Sequence, residues 1–320
     1  MSGDEVRDGV RLTNLDQPLF EGAQASKRHL VDYLDAARDR ILPGLRGRPL
    51  SVIRVLRGQR PFMQKNLPKY APPWVPRVTL WAESSQREVT YALCGDRRTL
   101  LWFANQRAVE YHPTLVRTDR RNRPTHLVLD IDPPAGGPFQ QAIGAARLVA
   151  QALADVDMES AVKTSGAKGL HVVVPITDTP VEDAAAATRA LAARAERLDP
   201  GLATTAFIRE DRGGRVFLDS TRAGGATVVA AYSPRARPGT PVSFPVDWND
   251  LDQVRPADFT VRNAVALLAE SDPWAELMPP PQPVAPVLVE EGREIPVARV
   301  QAMHEGKRRA RARRAAAEDA

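Results

Sequence analysis

Two aspartates one residue apart, Asp130 and Asp132, close the apolar run Leu127-Val128-Leu129-Asp130-Ile131-Asp132. In a strand, alternate side chains share a face, so the two carboxylates point together. Held side by side they repel unless a cation or a proton lies between them. A pair of Mg²⁺ or Mn²⁺ ions, which take oxygen ligands, is a common answer, and two-metal sites serve phosphoryl transfer. A second apolar run ending in an acid, Val216-Phe217-Leu218-Asp219, supplies a third carboxylate to complete a cradle. Any one of these acids alone reads as a strand-end cap or an ion-pair partner. A DxD pair alone also suits a nucleotide-sugar glycosyltransferase.

Between them lies Ser165-Gly166-Ala167-Lys168-Gly169-Leu170-His171. Gly166 and Gly169 let backbone N–H groups approach an anion, while Ser165 and Lys168 add a hydroxyl donor and a charge, as a triphosphate requires. The bland alternative is a tight hairpin with an incidental lysine. His171 alternates with Leu170 and Val172, so it faces away from the core and can donate to a phosphate. A third cluster mixes cations with an aromatic: Arg54, Arg57, Arg60, Phe62, Lys65 and Lys69. Aromatics stack on unpaired bases and cations track a nucleic-acid backbone. A Pro-rich surface loop whose aromatics pack down has the same composition.

Positioning these groups requires particular elements. Helical spacing of Leu30, Val31, Leu34, Ala37 and Ile41 predicts a helix over Lys27–Leu42, stopped by Pro43-Gly44. Strands are expected at Leu50–Leu56, Val78–Ala82 and Glu88–Leu93, a helix at Arg98–Val109, and an irregular exposed loop at Pro61–Pro76. The site-bearing half reads as strand Thr125–Asp130, helix Phe139–Leu153, strands Ser160–Lys163 and Leu170–Pro175, helix Val181–Leu198, then strands Arg215–Leu218 and Thr227–Tyr232. That order predicts a mixed α/β sheet rather than a doubly wound one. Neither GxGxxG nor GxxxxGK[ST] occurs, so nothing supports a dinucleotide fold or a P-loop. The main domain is expected over 1–277, a Pro-rich linker and tail segment over 278–306, and a basic, disordered tail over 307–320.

The chain has 320 residues, 43% hydrophobic and 26% charged, with 44 Lys and Arg and a net charge of +5. These values suit a soluble globular protein, and the basic balance favours a polyanionic partner. Cys94 is the only cysteine, which rules out an internal disulfide and a cysteine zinc cluster. The polar start has no signal-peptide core, and no apolar run approaches the length of a membrane helix. A cytoplasmic, nucleoid-associated protein without a membrane partner is expected.

LVLDID, SGAKGLH and VFLD, in that order and spacing, resemble the three motifs of the archaeo-eukaryotic primase superfamily. From about Leu12 to Trp274 the chain resembles the polymerase domain of bacterial ligase D. The resemblance implies a primase-polymerase (RRM-like) α/β core, with a largely antiparallel central sheet flanked by helices and a second smaller sheet. It implies that Asp130, Asp132 and Asp219 hold two divalent ions, Mn²⁺ favoured over Mg²⁺. Ser165, Lys168, Gly169 and His171 would bind the incoming nucleotide, joined by His112 of Glu110-Tyr111-His112-Pro113 and by Arg235. Phe62 would stack against template with Lys65 on DNA, and Lys27 falls in a region that recognises a 5′-phosphate.

Three places depart from the family pattern. Met63 replaces a second aromatic, Gln17 replaces a lysine, and Ser220-Thr221-Arg222 replaces an aromatic and an amide after Asp219. No KxDG ligase motif or His-rich phosphoesterase module occurs, so a stand-alone polymerase is expected. Its implied partners are gapped or broken DNA, nucleoside triphosphates, a separate ligase and an end-binding protein. The implied activity is template-directed filling of short gaps or ends, as in non-homologous end joining, with ribonucleotides preferred. Two alternatives are a de novo primase, which would make dinucleotides on unprimed strands, and a non-catalytic DNA-end-binding scaffold.

Overall fold

A computed structural model describes residues 5–82, 86–224, 226–268 and 272–297. A short hairpin, β1 (Glu5–Arg7) and β2 (Val10–Leu12), precedes helices α1 (Lys27–Ala36) and α2 (Arg38–Leu45). The single helix expected over Lys27–Leu42 is thus broken at Ala37, where Asp35 meets Arg97 and Arg7. Pro43 does not stop it; it sits in the last turn of α2, where it costs one backbone hydrogen bond.

The first sheet contains β3 (Pro49–Arg54), β4 (Phe62–Gln64), β5 (Arg77–Ala82), β6 (Arg87–Leu93) and β7 (Ala108–Pro113), with β3 at its centre between β7 and the β4/β6 edge. Phe62 therefore lies on a strand, where a loop was expected. Leu67, Ala71 and Val75 of the same stretch are buried. Helix α3 (Arg97–Asn105) starts at Asp96, whose carboxylate accepts from Thr99 N at 2.8 Å. It ends four residues before the expected Val109. Arg107, at φ 61°, reverses the chain, and β7 follows. Val109 and Tyr111 of β7 alternate with Glu110 and His112, and every residue of the strand is buried, its polar face included.

A hairpin of β8 (Val116–Arg117) and β9 (Arg120–Pro124) leads to the site-bearing sheet. That sheet contains β10 (His126–Asp132), β11 (Ala161–Thr164), β12 (Leu170–Pro175), β13 (Ala203–Thr204), β14 (Val216–Asp219) and β15 (Pro245–Val246), ordered β13-β14-β10-β12-β11-β15. Only the β13–β14 pair is parallel. Leu127, Leu129, Ile131, Leu170, Val172 and Leu218 face one side and are buried under α4 (Phe139–Ala154) and α5 (Val181–Leu198). Helix α5 is alanine-rich, with Glu182 and Asp183 in its first turn and Arg197 in its last, an order that suits the helix dipole. The opposite face carries the acids.

Residues Thr227–Tyr232 do not form a regular strand. They run beside β7 through a Thr114–Thr227 bridge and bonds from Val228 N to Pro113 O and Ala230 N to Tyr111 O. Short helices α6 (Ala264–Leu267) and α7 (Pro273–Leu277) follow, then α8 (Pro286–Glu294). The segment read as a linker packs on the domain. Gln282 exchanges hydrogen bonds with Glu159 and with the end of β12, and Leu288 is fully buried. Arg194 and Arg197 of α5 reach Glu291. Gly292 lies against the Ala186 carbonyl, where no Cβ fits. The basic tail 307–320 lies outside the described residues. No helix among them is long and apolar enough to cross a membrane.

Two outcomes follow from this packing. Gly292→Ala should lower stability by about 1–3 kcal/mol through overpacking of the α5–α8 contact, read from the urea midpoint; an unchanged midpoint would contradict the contact. His126 starts β10 beside Arg48, and burial together with that cation pushes its imidazole down to about 3. Between about pH 6.5 and pH 3 the unfolded chain then binds the extra proton, so stability falls as pH falls. His126→Gln should shrink the stability difference between about pH 7.5 and pH 5 by roughly 2 kcal/mol.

Candidate active site

One row of paired residues builds the site. Asp130 is the register partner of Asp219 on β14 and of His171 on β12, and His171 is the partner of Lys163 on β11. Directly paired residues of antiparallel strands share a face. Asp219, Asp130, His171 and Lys163 therefore stand in line across four strands, and Asp132, two residues on, faces the same way. Val128, Val173 and Val228 form a small apolar floor beside them.

The carboxylates are balanced by cations of the chain itself. Arg222 Nη2 lies 2.9 Å from Asp130 Oδ2 and 3.0 Å from Asp219 Oδ2. It is brought there by a turn in which Asp219 Oδ1 accepts from Thr221 N and Oγ1 at 2.9 and 2.6 Å. Lys168 Nζ lies 3.0 Å from Asp132 Oδ1, and it also donates to Pro133 O. Arg212, stacked on Phe217, approaches Asp132 at 3.9 Å. Burial alone would raise the Asp130 carboxyl, yet the His171 N–H and the Arg222 guanidinium outweigh it and hold it well below the usual carboxylate range. His171 is pushed down to about 4, by burial first and then by nearby Lys163.

Among the described residues no three His, Cys, Asp or Glu side chains are gathered tightly enough to hold a metal as they stand. The donor set nevertheless fits hard cations. Asp130 and Asp219 already converge on one positive charge, the Arg222 guanidinium. Oxygen ligands of this kind suit Mg²⁺ or Mn²⁺.

Around the acids opens a cleft of about 660 Å³, lined by His112, Asp130, Asp132, residues 165–169, His171 and Arg235 among others. The Ser165–Gly169 turn is tight for two reasons. Gly166, at φ 65°, lies against Arg235 and Ser243, and Gly169 lies against the Ile131 carbonyl. Ser165 Oγ accepts from Ala167 N and Gly169 N at 3.2 Å each, so it braces the turn. Glu110 organises the far wall. It is buried, and it accepts from Arg235 Nε at 2.9 Å and Ala236 N at 2.9 Å, with His112 Nε2 at 2.8 Å. Burial would raise its carboxyl, but His112 and Arg235 prevail and hold it at about 2. Arg235 also donates to Ser165 O, which joins the two walls.

The nine residues expected to act on metal and nucleotide thus meet in one place, with Asp219 just beneath the cleft. Those expected on DNA do not join them. Phe62, Met63 and Lys65 are exposed on and after β4. Arg54 is buried behind them; it donates to Gln64, Tyr70 and Gln106 O and lies 6.0 Å from the Phe62 ring, so it supports that platform from within. Lys27 is also buried. Its ammonium donates to Thr13 O and Asn105 Oδ1 at 2.6 Å each, and burial lowers it to about 8. Glu110, Lys163, Arg222 and Ser243 were not expected at the site from sequence. Arg222 alone carried a signal, as the cation that ends the departure after Asp219.

Comparison with known proteins places the chain in a family. A family profile described as the LigD primase-polymerase domain matches residues 26–274. The bifunctional non-homologous end joining protein LigD of Bacillus subtilis is 31% identical over 266 residues, covering 81% of this chain and 42% of that protein. The multifunctional non-homologous end joining DNA repair protein LigD of Mycobacterium tuberculosis (strain H37Rv) is 31% identical over 296 residues, covering 88% of this chain and 39% of that protein. The chain thus spans about two fifths of these relatives. The polymerase domain of Mycobacterium tuberculosis ligase D, solved in complex with DNA, superposes with a TM-score of 0.76 at 31% identity, covering 84% of this chain and 97% of that domain. Polymerases of this kind use divalent metals in general. With its mixed, antiparallel α/β core and acid-lined cleft, the chain belongs to the LigD primase-polymerase family, whose members are nucleotidyltransferase-type polymerases of DNA repair.

Proposed function

We propose that this chain extends primer ends on template DNA, filling short gaps or ends in non-homologous end joining. The observation that carries the reading is the Asp219–Asp130–His171 row, with Asp132 beside it, at the floor of a cleft walled by the Ser165–Gly169 turn, His112 and Arg235. Asp130, Asp132 and Asp219 would hold two divalent ions, Mn²⁺ or Mg²⁺. Those ions would lower the cost of ionising a primer 3′-hydroxyl and offset charge on the leaving pyrophosphate.

The chain's own groups do the rest. Ser165, Lys168 and Gly169 cradle the triphosphate, and Lys168 is released from Asp132 as it turns to the phosphates. Arg235 and His112 face the same anion from the opposite wall, both held by Glu110. The 3′-hydroxyl gives up its proton to water, its oxygen attacks the α-phosphorus, the bond to the bridging oxygen breaks, and pyrophosphate leaves with its charge met by Lys168 and Arg235. Phe62 and Lys65 offer an exposed ring and a charge to template strand. Ribonucleotides are the preferred substrate. A ligase activity, whose KxDG motif these 320 residues do not carry, seals the product, and an end-binding protein presents the break.

Extension of a one-nucleotide gapped duplex with Mn²⁺, with and without a downstream 5′-phosphate and with each sugar type, tests the reading. Incorporation directed by the template base is expected, faster with ribonucleotides. DNA binding without incorporation would favour the scaffold alternative. Asp130→Ala and Asp132→Ala should each reduce extension by roughly 10²–10³-fold or more while far-UV circular dichroism stays unchanged; retained extension in either refutes the metal assignment. Arg222 competes with metal for the same two oxygens. Arg222→Gln should therefore bind Mn²⁺ several-fold more tightly by calorimetry and melt lower without metal; unchanged affinity would contradict that competition.

A further inference from the structure

Lys163 lies on β11, 2% exposed, behind the row of acids. Its Nζ is 2.8 Å from His171 Nδ1 and 2.6 Å from Ser243 Oγ. Burying an amine among neutral partners is costly unless each of its hydrogens finds an acceptor. The direction of every bond in the chain follows from its two ends. Ser243 Oγ donates to Thr164 O at 2.7 Å, and a carbonyl only accepts, so Lys163 donates to Ser243. At the other end His171 Nε2 lies 3.3 Å from Asp130 Oδ1. An ionised carboxylate also only accepts, so Nε2 carries the hydrogen. A neutral imidazole protonated there has its lone pair on Nδ1, and Lys163 donates to it. The bond to Nδ1 runs in this direction whether the amine is charged or neutral, since both forms carry hydrogens to donate.

We propose that Lys163 is a positioning residue: by donating to His171 Nδ1 it locks the imidazole in its Nε2–H form and ties Asp130 Oδ1, which leaves Oδ2 turned toward the cation site. The inference rests on the polymerase reading and adds a restriction to it. His171 can donate from Nε2, to Asp130 or to a phosphate, but it can neither ligate a metal there nor accept a proton from the primer hydroxyl. Outer hydrogen-bond partners of this kind set the tautomer and aim of groups around a metal site. Arg222 holds Asp130 Oδ2 in the same orientation from the other side.

The test is imidazole ¹H–¹⁵N correlation spectroscopy on the metal-free full chain near neutral pH, with the His171 signals identified by their loss in His171→Gln. The wild type is expected to show neutral His171 protonated at Nε2. Lys163→Met should convert these signals to a mixture of tautomers and lower kcat on a gapped duplex about 10- to 100-fold, with the nucleotide KM within about twofold. Lys163→Arg, which keeps the donors, should restore the Nε2–H form and much of kcat. A wild-type Nδ1–H form, an imidazolium, or unchanged His171 signals in Lys163→Met would overturn the proposal. If Lys163→Met does not fold, Ser243→Ala removes only the second anchor of the amine and should shift the same signals in the same direction; unchanged signals there count against it. A wild type that extends no primer refutes the polymerase reading and leaves the tautomer result standing.

Discussion

The site depends on strand register. Asp130 must pair with Asp219 on one side and with His171 on the other, and a slip of one residue would turn the acids into the helix-covered core. The apolar partners prevent that slip. Leu127, Leu129 and Ile131 alternate with the acids and are buried beneath α4 and α5, so hydrophobic burial on one face holds mutually repelling carboxylates on the other. The repulsion is then met by Arg222, Lys168, His171 and Arg212, each reaching an acid from a neighbouring turn or strand. The protein thus maintains a preformed negative centre at the cost of surrounding it with three of its own cations and a neutral imidazole N–H, and any divalent ion must displace some of the cations.

The same cations divide the site into two kinds of wall. On the sheet side, Asp219, Asp130, His171 and Lys163 stand in one row of paired residues. On the far side, Glu110 gathers His112, Arg235 and the Ala236 N–H around one buried carboxylate. Arg235 spans both walls by its bond to Ser165 O. The cleft is therefore positive at its rim and negative at its floor, an arrangement that suits a triphosphate lying between metal and arginine. The exposed Phe62, Met63 and Lys65 lie on the other sheet, joined to the cleft through β7, which carries both Glu110 and His112.

How much of this could be read in the sequence divides along a physical line. The acids, the SGAKGLH turn and their strands were legible, because each is a local pattern: a period of two, a turn with required glycines, an apolar run ending in charge. What was illegible is non-local. Glu110 and Lys163 look like ordinary strand residues until Arg235 and His171 arrive from positions 125 and 8 residues away. Lys27 and Arg54 look like surface cations, but Asn105, Thr13, Gln64 and Tyr70 bury them. Strand β7 alternates Val109 and Tyr111 with Glu110 and His112, but nothing local shows that its polar face is covered as well. The proline-rich segment reads as a spacer by composition, yet Gln282, Leu288 and Gly292 find partners on β12 and α5 that no local pattern reveals.

The most direct measurement of the central claim is anomalous scattering from crystals of the chain grown with Mn²⁺ and a non-hydrolysable nucleotide. The account predicts manganese peaks bounded by Asp130, Asp132 and Asp219, with the Arg222 guanidinium moved off Asp130 and Asp219 and the triphosphate against residues 165–169. Manganese bound elsewhere, or Arg222 still bridging the two aspartates with nucleotide in place, would contradict it.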